Sequence, residues 1–382
     1  MRVTTHLNKT PKRVNFVAIQ QAHTVACTGY HAPTVRTGAE ETIAHRVTDL
    51  FAYTAKKPGK ITLRTPRSIV VQYDDGELRG VQLGRRYGAA AGLHIPHQIE
   101  SEMAVGDTVE EGDAIAYNTG FFEPDLFNPK RVIMKNYMTA TTVIWEDDVT
   151  LEDASSISSR VAEKLTTQTS KHKNIKVSFG DSISKLVPVG EKVTYESVLC
   201  IIQDKVVADS GVFNEQSVET LRVMDQQNPT AGMKGTVERI EVYYHGDVED
   251  MSPSLRALAE KSDAQFRLQA KELGKPQYTG EVDSGFRIDG TPLTLDFAII
   301  RVYITGSNPN GMGDKGVFFN QIKTVFSGKI RDGMVSEDGE EIDGGFGAQS
   351  IDGRIVNSPS IIGSTNTLLK ILTKKMIQAY RS

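Results

Sequence analysis

Glycine recurs along this chain without a period, 33 times in 382 residues, and it falls where short apolar runs end. Glycine adopts positive φ without a Cβ penalty, so such spacing predicts many tight turns between short strands. Ile61-Thr62-Leu63 and Ser68–Tyr73 alternate in this way, and Asp74-Asp75-Gly76 follows them as a hairpin turn. Val105-Gly106-Asp107-Thr108-Val109 recurs as Val189-Gly190-Glu191-Lys192-Val193. Each copy precedes a short apolar strand, Ala114–Ala116 and Val198–Ile202. A V-G-[DE]-x-V unit places glycine in the turn between two strands, a device shared by many barrels and carrier modules. The expected class is mainly β with some α, an α+β chain.

Two stretches predict helices. Ser252 is an N-cap followed by Pro253 at the first helical position, and Leu255, Leu258, Phe266 and Leu273 supply an apolar side before Gly274 and Pro276 end the run. The second runs from Thr367 to Tyr380, with Leu368, Leu369, Leu372, Met376 and Tyr380 available for burial. Lys370, Lys374, Lys375 and Arg381 give it a basic side, which reads first as a solvated face.

Charge and cysteine usage narrow the function classes. A net charge of -4 provides no bulk attraction for nucleic acid, so any such binding must come from a local patch. Cys27 and Cys200 are isolated, which supports neither a disulfide framework nor a zinc ribbon and fits a reducing compartment. The N-terminal residues lead into basic positions without an apolar core of a secretory signal. The most apolar stretch, Leu295–Ile304, contains Asp296 and Arg301 and is too short to span a bilayer. His94 and His97 flank Pro96, which argues against a helical metal pair. A soluble intracellular chain with no membrane partner is expected.

Two spots carry chemistry. In Gly311-Met312-Gly313-Asp314-Lys315-Gly316 a lysine sits between glycines before the apolar run Val317-Phe318-Phe319. Glycine lets backbone amides and the ammonium approach a phosphate together. The spacing is not that of a Walker A loop, and a strand follows rather than a helix. Adjacent Glu152 and Asp153 can orient a hard cation through oxygen ligands. Read alone, the first is also a plain turn lysine, and the second a pair of helix-entry acids.

Taken in order, these pieces resemble the central catalytic part of the β subunit of multisubunit DNA-dependent RNA polymerases. Thr37-Gly38-Ala39-Glu40-Glu41 with the run to Asp75-Gly76 is similar to the family's T-G-x-E segment and its D-D-G hairpin. Trp145-Glu146, Leu151-Glu152-Asp153-Ala154 and Ile157-Ser158-Ser159-Arg160 resemble W-E…F-E-D-A…I-S-E-R. Val302-Tyr303-Ile304 and Gly313–Val317 resemble V-Y-I…G-N-K-G-V, and Glu337-Asp338-Gly339…Ile342-Asp343 resembles E-D-G…V-D. Counting on without a gap puts Arg354 on the family's S-R-M-N arginine. The resemblance runs over residues 13–382 but covers about a third of the family's subunit, as in the split polymerases of giant bacteriophages.

The resemblance implies a double-psi β-barrel, hybrid-binding core made of residues 1–167 and 295–382, with a flap inserted at 168–294. It implies a β′-type partner that holds the catalytic Mg²⁺ in an aspartate triad, and a separate polypeptide for the N-terminal part of β. Template DNA, the RNA–DNA hybrid and NTPs are the other implied partners. Glu152 and Asp153 would lie beside the second Mg²⁺, reached in part through water. Lys315 would lie near the RNA 3′ end and the α-phosphate, and Arg354 would clamp the incoming triphosphate. Arg13, or its neighbour Lys12, falls near another triphosphate contact. The implied location is the cytoplasm of an infected bacterial host, with packaging in the virion left open.

Departures from the pattern are specific. Ser307 stands where the family has a second lysine, with Lys329 as a replacement or a single lysine sufficing, and Ser159 stands for the glutamate of I-S-E-R. The alternative function is a non-catalytic β-barrel scaffold of a phage assembly, suggested by the V-G-[DE]-x-V repeat. A biotinyl or lipoyl carrier is excluded because neither hairpin, Glu110-Glu111-Gly112 or Thr194-Tyr195-Glu196, carries a modifiable lysine.

Overall fold

A computed structural model describes residues 2–10, 25–32, 52–90, 93–135, 138–145, 148, 150–203, 228–288, 290–319, 322–352 and 358–381. The described chain is mainly β with a few helices, as its composition predicts. Six strands close a barrel: β1 (Arg2–Thr10), β2 (Met138–Ile144), β3 (Ala154–Ile157), β4 (Lys315–Phe318), β5 (Ile322–Lys329) and β6 (Gly344–Phe346). Around the barrel the order is β1-β2-β6-β3-β5-β4, with β4 closing on β1.

This connectivity has an internal symmetry. Exchanging β1, β2, β3 for β4, β5, β6 reproduces the same neighbours. It also reproduces their directions: β2–β6 and β5–β3 are parallel, and the other pairs are antiparallel. Each half is therefore a three-strand unit whose last strand inserts beside the middle strand of the other half. Full closure leaves the barrel no open edge.

Aromatic side chains fill the barrel. Phe318, Phe319, Phe326 and Phe346 are buried together with Ile157, Ile322, Met138 and Ala140. Phe318 meets Phe326 edge-on at 6.4 Å and Phe346 at 5.5 Å between ring centroids. Gly316 faces this interior, because a Cβ built there would lie 2.1 Å from the Phe326 ring. Strand alternation then turns Lys315 and Val317 to the opposite, outer face.

Outside the barrel, Thr167–Ser178, Gly235–His245 and Phe297–Asn308 form the middle of an eight-stranded sheet, continued by Leu93–Glu100. Gln168 and Ser307, on either side of the expected core–flap division, are register partners in it. Of the helices, α1 (Ser159–Lys164) follows β3, and α2 (Pro253–Glu272) packs Leu255, Ala259, Phe266 and Ala270 beneath this sheet. Ser252 caps α2 through its Oγ, which accepts from Leu255 N at 3.4 Å, and Gly274 at φ 63° follows its end. The turn glycines behave as expected, with Gly76, Gly106 and Gly190 at φ 86°, 101° and 94°. His94 and His97 both lie on the strand Leu93–Glu100 rather than on a helix.

A short helix α3 (Gln349–Asp352) precedes α4 (Ser358–Arg381), which is longer than the sequence predicts and packs on β1. The expected burial of its apolar side does not occur. Leu368 and Leu372 are exposed, Leu369 is half-buried, and every residue from Ile371 to Arg381 is exposed. Its basic side, expected in solvent, meets the body instead. Lys370 Nζ lies 2.7 Å from Glu340 Oε2, and Lys374 pairs with the other oxygen of the same carboxylate. These two lysines hold the Glu340 carboxyl down at about 2.

Two predictions follow from the packing. Gly316→Ala should cost about 1–3 kcal/mol in urea unfolding, because the new methyl group overpacks the barrel against Phe326. Glu340 titrates lower in the folded chain than its usual 4.5, so its pairs stabilise above pH 4.5 and are lost as pH falls towards 2. Glu340→Gln should therefore flatten the fall in melting temperature across that window, while lowering stability at pH 7 by ~0.5–1 kcal/mol.

Candidate functional site

The carboxylates and the lysine chosen from sequence meet on three adjacent barrel strands. Lys315 on β4 is the register partner of Val325 on β5, and Val325 is in turn the partner of Ala154 on β3. Asp153 and Glu152 lead directly into Ala154. Neighbouring strands lie about 4.8 Å apart, which separates the Lys315 and Ala154 backbones by roughly 10 Å. That spacing leaves room for one small group between the ammonium on one side and the carboxylates on the other.

The acidic turn is held by its backbone and leaves its carboxylates outside. Asp153 O accepts from Val325 N and from Thr324 Oγ1, both at 2.8 Å, and Thr324 Oγ1 is also 2.9 Å from Ser155 Oγ. Glu152 O accepts from Ser350 Oγ. Glu152 and Asp153 are both exposed. Glu152 has φ 49°, a left-handed conformation that costs a non-glycine residue about 1 kcal/mol or more. The surrounding hydrogen bonds maintain that strain, which points the turn outward where a helix entry would have relaxed it. Helix α1 instead begins at Ser159, with Ser158 Oγ accepting from Val161 N.

The glycine loop before Lys315 is closed by Asp314 and tied to β5. Asp314 Oδ2 accepts from Gly311 N at 2.8 Å, while Gly313 N donates to Phe326 O and Phe326 N to Asp314 O. Gly313, at φ 85°, permits the reversal. Lys315 is thus delivered at the start of a strand, half-buried.

Lys323 was not anticipated from the sequence. It is the register partner of Val317, so it shares the outer face of the β4–β5 hairpin with Lys315, one diagonal step away. Partial burial lowers its pKa, and the Lys315 charge lowers it further. The other basic candidate, Lys329, falls on the wrong side. A bulge between the partners of Ser155 and Ser156 shifts the register and sets Lys329 level with core-facing Ile157. Ser307 lies at the far end of the long strand Phe297–Asn308 and accepts a 2.9 Å hydrogen bond from Gln168 Nε2. A strand signal existed for Lys323: Ile322-Lys323-Thr324-Val325-Phe326 alternates apolar and polar residues shortly after the apolar run Val317–Phe319.

Other motif residues perform structural work. Arg160 binds Glu341 at 2.8 Å and pairs with Asp343, whose Oδ2 accepts from Thr141 N at 2.8 Å. Asp343 is buried and ties β2, α1 and the approach to β6 together. Tyr303 donates to Glu241 at 2.9 Å, and its ring lies 4.5 Å from the Arg239 guanidinium. That cluster borders a cavity of about 960 Å³ between α2 and the eight-stranded sheet, where Glu238 takes both Arg85 nitrogens and the Tyr87 hydroxyl. Arg354, Arg13 and Lys12 lie outside the described residues, as do Glu146 and the segment Thr37–Glu41.

Two exposed, adjacent carboxylates fit a Mg²⁺ ion that brings water and phosphate ligands with it. Among the described residues, no group of three or more His, Cys, Asp or Glu converges to hold an ion by itself. No helix among them is long and apolar enough to cross a membrane. Neither the known protein-family models nor the curated proteins contain a match to this chain.

The strain at Glu152 is separable from its charge. Glu152→Gly should leave stability unchanged or raise it by up to ~1 kcal/mol in urea unfolding, whereas Glu152→Ala keeps the strain and gains nothing.

Proposed function

We propose that this chain is a β-type catalytic subunit of a multisubunit DNA-dependent RNA polymerase, active only with a β′-type partner. The observation that carries the reading is the closed barrel of two interlocked three-strand halves, with Lys315 two strands across from the strand that Glu152-Asp153 lead into. The double-psi barrel is the fold proposed for it, since each half inserts its last strand beside the other half's middle strand. The residues come from motifs in the polymerase order, and the register brings two of those motifs together from positions more than 160 residues apart.

The chemistry asked of this chain is electrostatic. Nucleotidyl transfer builds negative charge on the α-phosphate and the leaving pyrophosphate, and fixed cations that meet that charge lower the barrier. Lys315 is a compact ammonium suited to a point contact on the α-phosphate at the RNA 3′ end. Arg354 would hold the triphosphate with the planar fork of its guanidinium. Lys323, beside Lys315, supplies the second ammonium that Ser307 cannot. Glu152 and Asp153 would accept hydrogen bonds from the water shell of the nucleotide's Mg²⁺ and so orient the triphosphate. That ion, when bound, screens phosphate charge. Lys12 and Arg13 are the proposed outer triphosphate contacts.

The split arrangement assigns the Mg²⁺-binding aspartates and the N-terminal part of β to other polypeptides, with template DNA and the hybrid across the barrel face. A host-cell cytoplasmic location is part of the same proposal.

The test is elongation by the tagged full chain together with the polypeptides that co-purify with it. Lys315→Ala and Lys323→Ala should each slow elongation by one to two decades, the equivalent of a charge-assisted hydrogen bond of about 1.5–3 kcal/mol. Arg354→Ala should mainly raise the KM for NTPs. Unchanged elongation in Glu152→Ala, Lys315→Ala and Arg354→Ala alike, or purification without any second catalytic chain, would overturn the reading.

A further inference from the structure

Beyond its first turns, where Ile362 packs on the barrel core, helix α4 departs from the pattern of surface helices. Such helices turn their apolar side to the core and their charges to water. Here Lys370 and Lys374, one turn apart, both reach Glu340, and Lys370 Nζ also lies 3.2 Å from Thr141 Oγ1 on β2. These contacts fix the rotation of the helix, with a polar side against the barrel. At 3.6 residues per turn, Ile361, Leu368, Leu372 and Met376 then form a stripe roughly opposite. Their exposure agrees: 63%, 57%, 46% and 71%, with Tyr380 at 92% beyond them. An apolar stripe of this length on a helix of 24 residues, about 36 Å, is a surface waiting for a cover.

Charge decides what covers it. Between Ser358 and Arg381 there is no Asp or Glu, while Lys370, Lys374, Lys375 and Arg381 are all basic. Glu340 answers the first two. Lys375, which makes no ion pair among the described residues, borders the C-terminal part of the stripe, while Arg381, eleven residues on from Lys370, returns to the lysine side of the helix. Packing this helix on a second copy of itself would bring together two all-basic helices with no acid to offset them. An anionic bilayer would favour cations turned outward and Trp or Phe in the stripe. Here two of the cations are turned inward, and neither aromatic occurs in the helix.

We infer that α4 is a docking helix for a different polypeptide, which covers the Ile361–Leu368–Leu372–Met376 stripe with an apolar groove rimmed by carboxylates. The groove takes the helix by its evenly spaced apolar anchors, and the carboxylates meet Lys375 at its border. The inference stands on the orientation and charge of α4 alone and does not depend on the polymerase reading.

The experiment places a photo-crosslinking phenylalanine analogue at Leu372, at Met376 and, as a control on another side, at Gln378. The full tagged chain is irradiated in the cells that make it, and the crosslinked peptides are sequenced by mass spectrometry. Expected are crosslinks from positions 372 and 376, but not 378, to one segment of another polypeptide in which apolar positions alternate with Asp or Glu. Lys375→Glu should cut their yield about tenfold. Leu372→Asp should abolish co-purification of that polypeptide with the melting temperature unchanged, because the side chain is already in solvent. Crosslinks to a second copy of this chain, to phospholipid, or to nothing at either position would overturn the inference. So would a segment without carboxylates, or a yield indifferent to the charge reversal.

Discussion

The contact of the Phe326 ring with the bare backbone of Gly316 sets the phase of the whole barrel face. Because that glycine must point inward, its neighbours on both sides must point outward, and Lys315 has no choice of face. The same phase runs across β5 and β3. Thr324 and Ser155 meet inside, so Ala154 and Val325 turn out, and the turn carrying Glu152 and Asp153 leaves the barrel on the Lys315 side. A one-residue slip anywhere in this set would send the lysine into a phenylalanine core. Packing in the interior therefore determines the charge pattern of the exterior, at a distance of one residue.

The backbone of the acidic turn is tied down at this site. Carbonyls of Glu152 and Asp153 accept from Ser350, Thr324 and Val325, and both residues are exposed. Asp314 spends its own carboxylate on Gly311. A polar group committed to local turn geometry is lost to ligand chemistry, and Asp314 is such a group. Arg160 and Asp343 belong with Asp314: a buried carboxylate that accepts from a backbone amide and from an arginine is architecture.

What could be read along the chain was whatever is local in it. The Asp74-Asp75-Gly76 turn, the paired Gly106 and Gly190 turns and the Ser252-capped helix α2 each depend on a few consecutive residues, and each is where propensity puts it. The barrel was invisible to periodicity, because β3 finds its neighbours β5 and β6 more than 160 residues downstream. Lys323 escaped for a smaller reason. It is eight residues from Lys315, and only the register of the intervening hairpin shows that the two share a face. Lys329 looked an equal candidate until the bulge in β5 turned its face. For α4, periodicity identified an apolar side correctly, but it carries no information on which body that side meets. Glu340, 30 residues away, decided the orientation by attracting the lysines.

The net charge of -4 now has a spatial meaning. A chain that is acidic in sum still sets local groups of cations together, among them the lysine pair on the β4–β5 hairpin and a helix with no acid in it. Partial burial lowers the pKa of Lys323 first, and the Lys315 charge on the same hairpin face lowers it further. Both effects arise from the local register of the hairpin and need no field from the rest of the molecule, so an overall acidic chain can hold two ammonium groups on one face.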